Sequence, residues 1–145
     1  MTRPRTQEKE LPSLEKFCTV EGDLATEVIG RAPAGMRIDF PFQGVATSEH
    51  WAGERPVKGV DYVTVREDGN MVLDIHATIG EKRESVSYRG AGVSIANEDR
   101  SADPKELIVF ETGNEDLAWL NNEVAVAFGH GAAGKIMLDI YLIKP

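Results

Sequence analysis

The sequence predicts an all-β protein, a single closed antiparallel β-barrel of about eight strands. Apolar and polar residues alternate with a period of two through most segments after residue 13, which is typical of strands with one buried face. Gly, Asp and Asn interrupt this pattern about every ten residues, as expected for short turns between antiparallel strands. Closure into a barrel is favoured over an open sheet because it leaves no exposed strand edges.

The predicted strands follow one another with short links along one domain, residues 13–145. They cover residues 14–21, 36–47, 57–66, 71–79, 84–95, 107–112, 124–128 and 135–143. The clearest link contains Asp68-Gly69, which favours positive φ and a tight hairpin. Residues 115–122 are predicted to hold one helical turn. Residues 1–12 are mostly charged and polar, so we predict that they form a flexible N-terminal arm.

Each well-patterned strand has one apolar and one polar face. Between residues 71 and 79 the apolar positions alternate with Val72, Asp74, His76 and Thr78, and the strand 135–143 divides in the same way. The polar faces either meet solvent or line a cavity, and the pattern leaves both open. If they face inward, the apolar outer positions predict association of the barrel as a dimer or trimer.

Charge and composition exclude several classes of function. The formal net charge of −8 would repel a nucleic-acid backbone, and no Lys/Arg cluster offsets it locally, so no nucleic acid is expected as a partner. The single cysteine, Cys18, is predicted to be a small core residue without an intramolecular disulfide. No apolar run reaches membrane-spanning length, so we expect no membrane partner and a cytoplasmic location.

Three acidic or basic residues stand out as candidates for catalysis. Asp74 and His76 lie on one strand face about 6 to 7 Å apart, a spacing that suits acid and base groups around one small molecule. The alternative is an exposed pair on a solvent face. Glu111 follows Phe110 in an apolar strand, where a buried carboxylate would need Arg89 as a partner or a proton.

Other motifs indicate a pocket rather than a metal or cofactor site. Trp51 and Trp119 lie near acids, which suits a pocket for a planar ligand, although Trp119 equally suits a plug at a barrel end. The histidines lack metal-binding spacing, so we predict no metal. Residues 129–135 have the glycine and lysine spacing of a phosphate-binding loop, but Ile136 begins a strand, so we predict a Gly-rich hairpin or loop at a barrel mouth.

Several short motifs resemble those of the bacterial and fungal proteins called the domain of unknown function 3237 family. These motifs are Phe110-Glu111-Thr112-Gly113, Trp119-Leu120-Asn121, the closing Asp139-x-Tyr141, Gly59-Val60-Asp61-Tyr62, Leu73-Asp74, and Arg89 with Gly92-Val93. Tyr62 stands where the family usually has tryptophan. The resemblance implies a calycin-sized antiparallel barrel, similar in architecture to allene oxide cyclase and dirigent proteins. It also implies that Asp61, Asp74, Arg89, Glu111, Trp119, Asn121 and Tyr141 lie near the cavity.

These expectations combine into one leading hypothesis and two alternatives. The leading hypothesis is a cofactor-independent lyase, isomerase or cyclase that acts on an aromatic or polyketide-like small molecule. Its predicted catalytic residues are Asp74, Glu111, His76 and Tyr141. Its predicted substrate-binding residues are Asp61, Tyr62, Arg89, Trp119, Asn121 and Trp51. The alternatives are a non-catalytic carrier barrel for the same kind of ligand and a structural subunit of a homo-oligomer.

Overall fold

A computed structural model describes residues 11–145 of the chain. It contains nine β-strands and two short 3-10 helices, η1 and η2. The strands are β1 Ser13–Leu24, β2 Glu27–Ala32, β3 Gly35–Thr47, β4 Glu54–Val65, β5 Met71–Ile79, β6 Val86–Ala96, β7 Ala102–Thr112, β8 Val124–Ala132 and β9 Lys135–Lys144. The helices are η1 Lys82–Glu84 and η2 Glu115–Asn122. The predicted arm, residues 1–12, falls outside the described residues except for Leu11 and Pro12.

Eight of the strands close into an antiparallel barrel, which confirms the predicted fold class. From β3 to β9 each strand pairs with the next one in the chain. The ring closes because β1 pairs with β9 on one side and, through Thr19–Leu24, with the second half of β3 on the other. The first half of β3 pairs instead with β2, which is therefore an addition outside the ring.

The apolar faces of the strands form the barrel interior. Leu73, Ile75, Ala77 and Ile79 of β5 are buried, while Asp74 and its neighbours on the other face are exposed. The last strand, β9, repeats this arrangement with Leu138, Ile140 and Leu142 inside. The choice left open by the sequence is therefore decided: the polar faces of these strands lie on the outside.

Two strand predictions need correction. The strand β2 is absent from the predicted set, because Gly30 and Pro33 are typical of a loop. In the structure Gly30 has φ 116°, and the register between β2 and β3 shifts at this residue. The strand β7 begins at Ala102 rather than at residue 107. Pro104 lies inside it, at a point where pairing with β8 is interrupted between Ala102 and Lys105, so its missing N–H costs no ladder bond to β8.

The reasoning behind the predicted dimer or trimer also needs correction. It required the polar faces to point inward, and they point outward. Apolar side chains do lie exposed on the outer face of β7, β8 and β9, namely Leu107, Val109, Val124, Phe128 and Met137. Association of the barrel stays a prediction. Within residues 11–145, no helix has the length and apolar character needed to cross a membrane.

Candidate active site

One end of the barrel opens into an interior cavity of about 260 Å³. Its mouth is formed by the β8–β9 hairpin, the turn between β6 and β7, and the link between β1 and β2. Its walls are mostly apolar, with Val20, Phe40, Phe42, Val63, Met71, Leu73, Ile75, Ile136 and Leu138 among the lining residues. The polar side chains in the wall are Asp61, Tyr88, Ser94 and Glu106, and such a site suits a small, largely apolar ligand.

The Gly-rich segment after residue 128 forms one rim of this cavity. Ala133 and Gly134 have φ 51° and 77°, which is the backbone geometry of a tight hairpin turn. Gly131 and Gly134 line the mouth beside Ile136. Since strands flank the segment on both sides, the prediction of a Gly-rich hairpin at a barrel mouth is confirmed.

Within residues 11–145, Asp61 is one of two carboxylic acids that line the cavity. It belongs to β4 and lies on the same strand face as Val57 and Val63. That face points into the barrel, and Asp61 lines the cavity. Its Oδ1 accepts a hydrogen bond from the backbone N–H of Asp74 at 3.1 Å, which leaves Oδ2 free to meet a ligand. Burial raises the pKa of Asp61 from 3.8 to about 7; the Asp74 amide opposes this shift, and the Asp74 charge adds to it.

Glu106 is the second acid, and it is more deeply buried, with 4% of its surface exposed. Its strand β7 turns Ile108 and Phe110 to the same inner face. The carboxyl group lies over Gly90, where a Cβ atom would come within 3.1 Å of Oε1. The absence of a side chain at Gly90 therefore leaves room for the Glu106 carboxyl group. Burial first, and then the charge of Asp61, raise the pKa of Glu106 to about 8. Oε1 has no hydrogen-bond partner within residues 11–145.

Tyr88 adds a hydroxyl group to the two acids. Its ring is fully buried, and its hydroxyl also lacks a partner in the described part of the chain. Burial, followed by the charges of Glu106 and Asp61, raises the pKa of Tyr88 well above its ordinary value, so the group stays protonated. An apolar cavity with a buried hydroxyl and an unpaired carboxyl oxygen can donate and accept protons or hydrogen bonds to a ligand.

Asp61 is the only predicted site residue that lines this cavity. Asp74 and His76 do lie together, with Oδ1 and Nε2 3.2 Å apart, but on the outside of β5 with about half or more of each side chain exposed. Tyr62 packs its ring edge against His76 on the same surface. Arg89 lies beside them, exposed on β6. The expectation that Asp74 and Arg89 lie near the cavity is corrected, because strand alternation turns both outward.

Glu111 and Tyr141 also lie on the outer surface. Glu111 is exposed and stands opposite Ser87 in the β6–β7 ladder, one position away from the buried Phe110. The ring of Tyr141 lies 6.3 Å from that of Phe128 and under the ammonium group of Lys16. Neither side chain reaches the interior, so their expected positions near the cavity are corrected for the same reason.

The remaining predicted residues gather at the opposite end of the barrel. Trp119 packs against Phe17 and His50, with ring centroids 6.1 and 4.9 Å apart, and covers this end of the barrel with 36% of its surface exposed. Trp51 is buried and donates a hydrogen bond from Nε1 to the Ala46 carbonyl. The Asn121 side chain bonds both the N–H and the carbonyl of a single residue, Thr112, and so fastens η2 to β7.

Glu106 and Tyr88 are absent from the predicted site, although the sequence holds a signal for both. Tyr88 alternates with Val86 on an apolar face of β6, where a hydroxyl is unusual. Glu106 shares a face with Ile108 and Phe110, but both faces of β7 are apolar around residues 107–110, so the period alone does not say which is inside. If the predicted strand had begun at Ala102, Lys105 would have marked one face of the strand as the outer one and Glu106 as part of the inner face.

Comparisons with known proteins show the barrel but no family. No family model matches the sequence, and no curated protein matches it. A β-barrel-like protein from Acinetobacter baumannii is 19% identical, with TM-score 0.81 over 95% of this chain and 99% of that chain. A protein of unknown function from Clostridium acetobutylicum is 17% identical, with TM-score 0.80 over 92% and 100%. An enzyme from Penicillium herquei is 18% identical, with TM-score 0.63 over 99% of each chain. At these identities the likeness extends to the fold alone.

Proposed function

We propose that this protein is a cofactor-independent lyase, isomerase or cyclase that works by general acid–base catalysis on an aromatic or polyketide-like small molecule. The observation that carries the proposal is the pair of inward carboxyl groups, Asp61 and Glu106, in an otherwise apolar cavity. The similarity in fold to an enzyme from Penicillium herquei is compatible with it. The resemblance to the domain of unknown function 3237 family and a cytoplasmic location remain part of the proposal.

The two acids are suited to opposite roles near neutral pH. With pKa values of about 7 for Asp61 and about 8 for Glu106, there is a range in which Asp61 is a carboxylate while Glu106 keeps its proton. Asp61 would then take a proton from a carbon next to a carbonyl group. Glu106 would give its proton to the carbonyl oxygen, which forms the enol.

Tyr88 and the apolar wall complete this arrangement. The buried hydroxyl of Tyr88 would donate a hydrogen bond to the oxygen on which negative charge develops. Phe40 and Phe42, on the opposite wall, would pack against an aromatic ring. In isomerisation, the enol accepts the proton of Asp61 at another carbon and gives its hydroxyl proton back to Glu106. In cyclisation, the enol carbon attacks a second carbonyl, whose oxygen takes the proton of Asp61 while Glu106 takes the enol hydroxyl proton. Both acids then return to their starting forms.

Proton exchange into simple model ketones tests this function. The full chain is incubated in heavy water with aromatic ketones such as 2-tetralone and a phenyl-substituted 1,3-diketone, and deuterium uptake next to the carbonyl is followed by NMR. The wild-type protein should accelerate uptake. Asp61→Asn and Glu106→Gln should each lower the rate by about a hundredfold to ten-thousandfold.

The outer-surface acids provide matched controls. Asp74→Asn and Glu111→Gln change the same chemical groups on the exposed face. Glu111→Gln should exchange at the wild-type rate, and Asp74→Asn, whose charge adds to the raised pKa of Asp61, should change the rate far less than Asp61→Asn does. If these variants lose activity while Asp61→Asn and Glu106→Gln keep it, the site lies on the outside and the proposal fails.

A carrier function is the second candidate, and the mostly apolar lining favours it. A carrier would bind the same ketones without accelerating exchange above the level of an Asp61→Asn/Glu106→Gln double variant. Substitution of the two acids would then change affinity alone.

A further inference from the structure

Among the described residues, a single cationic side chain lines the mouth of the cavity. Arg100 lies in the turn between β6 and β7 and lines the cavity entrance, on the side where Ala102 pairs with Gly131 of the β8–β9 hairpin. No other lysine or arginine of residues 11–145 lines this cavity, and the charged groups deeper inside are the two acids. The entrance and the interior therefore carry charges of opposite sign when the acids are ionised.

The backbone presents Arg100 at this position in a conformation that favours glycine. Its φ is 71°, in the left-handed region, and the turn is closed by hydrogen bonds from Arg100 N to Asn97 O and from Asn97 N to Ser101 O, at 3.1 and 2.8 Å. A long side chain in this region costs about 1 kcal/mol or more relative to glycine. Turn geometry alone therefore does not account for an arginine here.

The acids next to Arg100 have other partners. Asp99 accepts hydrogen bonds from the N–H and the hydroxyl of Ser101, and Asp103 contacts His130 and Asn97. Within the described chain no carboxylate lies at salt-bridge distance from the Arg100 guanidinium. Its charge is therefore available to a ligand that enters the mouth.

We propose that the substrate is an amphiphilic carboxylic acid whose carboxylate binds Arg100 while its apolar body extends into the barrel. This inference rests on the proposed function, because the reacting end of the molecule is the one that meets Asp61 and Glu106. A guanidinium group matches the two oxygens of a carboxylate. The formal net charge of −8 disfavours anions in general, so Arg100 supplies the local attraction that such a substrate requires.

The dimensions of β7 set the size of this molecule. Ala102, beside the turn that holds Arg100, and Glu106 are four residues apart, or about 13 Å along the strand. A fused two-ring body with a carboxylate at one end and a carbonyl at the other fits such a distance. Met71, Ile136 and Leu138 line the path between the two ends.

Binding of matched probes tests the proposal. We would measure the affinity of the full chain for 2-naphthoate and for its methyl ester by NMR titration at pH 6, where Asp61 and Glu106 are mainly neutral. The wild-type protein should bind the acid about tenfold more tightly than the ester, which corresponds to about 1.4 kcal/mol. Arg100→Gln should remove this preference, and Arg100→Lys should retain part of it.

Two controls separate this proposal from the catalytic one. Arg89→Gln removes a cation from the outer surface and should leave the preference unchanged. Asp61→Asn should keep the preference for the acid even if it abolishes deuterium exchange. Equal affinity for acid and ester in the wild type, or a preference that survives Arg100→Gln, would overturn the inference about Arg100. Unchanged exchange in Asp61→Asn would overturn only the proposed catalysis.

Discussion

The two ends of the barrel are built by the same strands but filled in different ways. At one end, Phe17 packs edge-on against Trp51, Phe110 and Trp119, with ring centroids 5.4 to 6.1 Å apart. At the other end, Phe40 and Phe42 are only partly buried and face the cavity. We call these the closed end and the open end.

The difference shows how a barrel keeps a cavity without losing its stability. At the closed end, η2 adds the buried side chains of Leu117 and Leu120 beneath the strands and joins them to one core. Toward the open end, Gly90 provides the room that the Glu106 carboxyl group occupies, and Gly131 lines the mouth of the cavity. The closed end therefore supplies the packing, and the open end is free to hold acids that destabilise the fold when charged.

The largest expected effect compares one phenylalanine from each end. Phe17→Ala should destabilise the protein by about 3 to 5 kcal/mol, because it leaves a new hole among tightly packed rings. Phe40→Ala should cost less than about 2 kcal/mol, because this side chain already borders open space. Urea unfolding measures both. Equal losses would mean that the two ends are packed alike.

The second prediction concerns how stability depends on pH. Asp61 and Glu106 have pKa values raised from 3.8 to about 7 and from 4.5 to about 8, so the folded protein holds protons that the unfolded chain releases between these limits. Stability should therefore be highest near pH 5 and fall by several kcal/mol as pH rises to about 8, because each unit of pKa shift corresponds to about 1.4 kcal/mol. Urea unfolding across this range measures the loss.

Two variants isolate the interior acids in that experiment. Glu106→Gln and Asp61→Asn should each flatten the curve and make the protein more stable than wild type at pH 8. Outer carboxylates such as Asp139 have lowered pKa values, so they titrate below this range and do not mask it. A wild-type stability that rises between pH 5 and 8 would contradict the burial of these acids.

The third prediction separates structure from binding at the closed end. Asn121→Ala removes the two hydrogen bonds to Thr112 and should destabilise the protein by about 1 to 2 kcal/mol. Binding of 2-naphthoate, measured under conditions where both proteins are folded, should be unchanged. If Asn121→Ala lost affinity for 2-naphthoate while its stability stayed unchanged, Asn121 would belong to the ligand site, as the sequence predicts.

The smallest expected effect on the fold comes from Gly90→Ala at the open end. The added Cβ would meet Glu106 Oε1 at 3.1 Å and Ile108 and Ile75 at 3.4 Å, so the carboxyl group must shift by a few tenths of an ångström. We expect a change in stability of about 1 kcal/mol or less but a loss of about tenfold in deuterium exchange. Gly113→Ala, which meets no atom within 4 Å, is the matched control.

The sequence predicts the barrel far better than the site. Alternation on β5 and β9 identifies the buried positions correctly, because one face of each strand is polar. On β7 both faces are apolar around Leu107 and Ile108, so alternation does not show which face points inward. The sequence therefore predicts Glu111 as the buried acid, whereas the structure buries Glu106. The sequence also predicts the pairing of Asp74 with His76, but two groups on one strand face do not reveal whether that face lines a cavity.

The position of the cavity depends on contacts that are distant in the sequence. The room for Glu106 comes from Gly90 on the neighbouring strand, and the carboxyl group of Asp61 is held by the backbone of Asp74 on another. These contacts follow from the register of closed strands rather than from a local motif. Sequence patterns on single strands therefore identify residues that can be buried, but they do not show which of those residues come together in the cavity.

The most direct test of this account is the titration of the two interior acids. Carbon-13 NMR of the Asp and Glu carboxyl groups, assigned through Asp61→Asn and Glu106→Gln, would follow each one from pH 3 to 9. We expect apparent pKa values of about 7 and about 8, and a lower value for Glu106 in Asp61→Asn, where the charge of Asp61 is absent. Values near 4 for both acids would contradict the account, because they would mean that water surrounds these carboxyl groups.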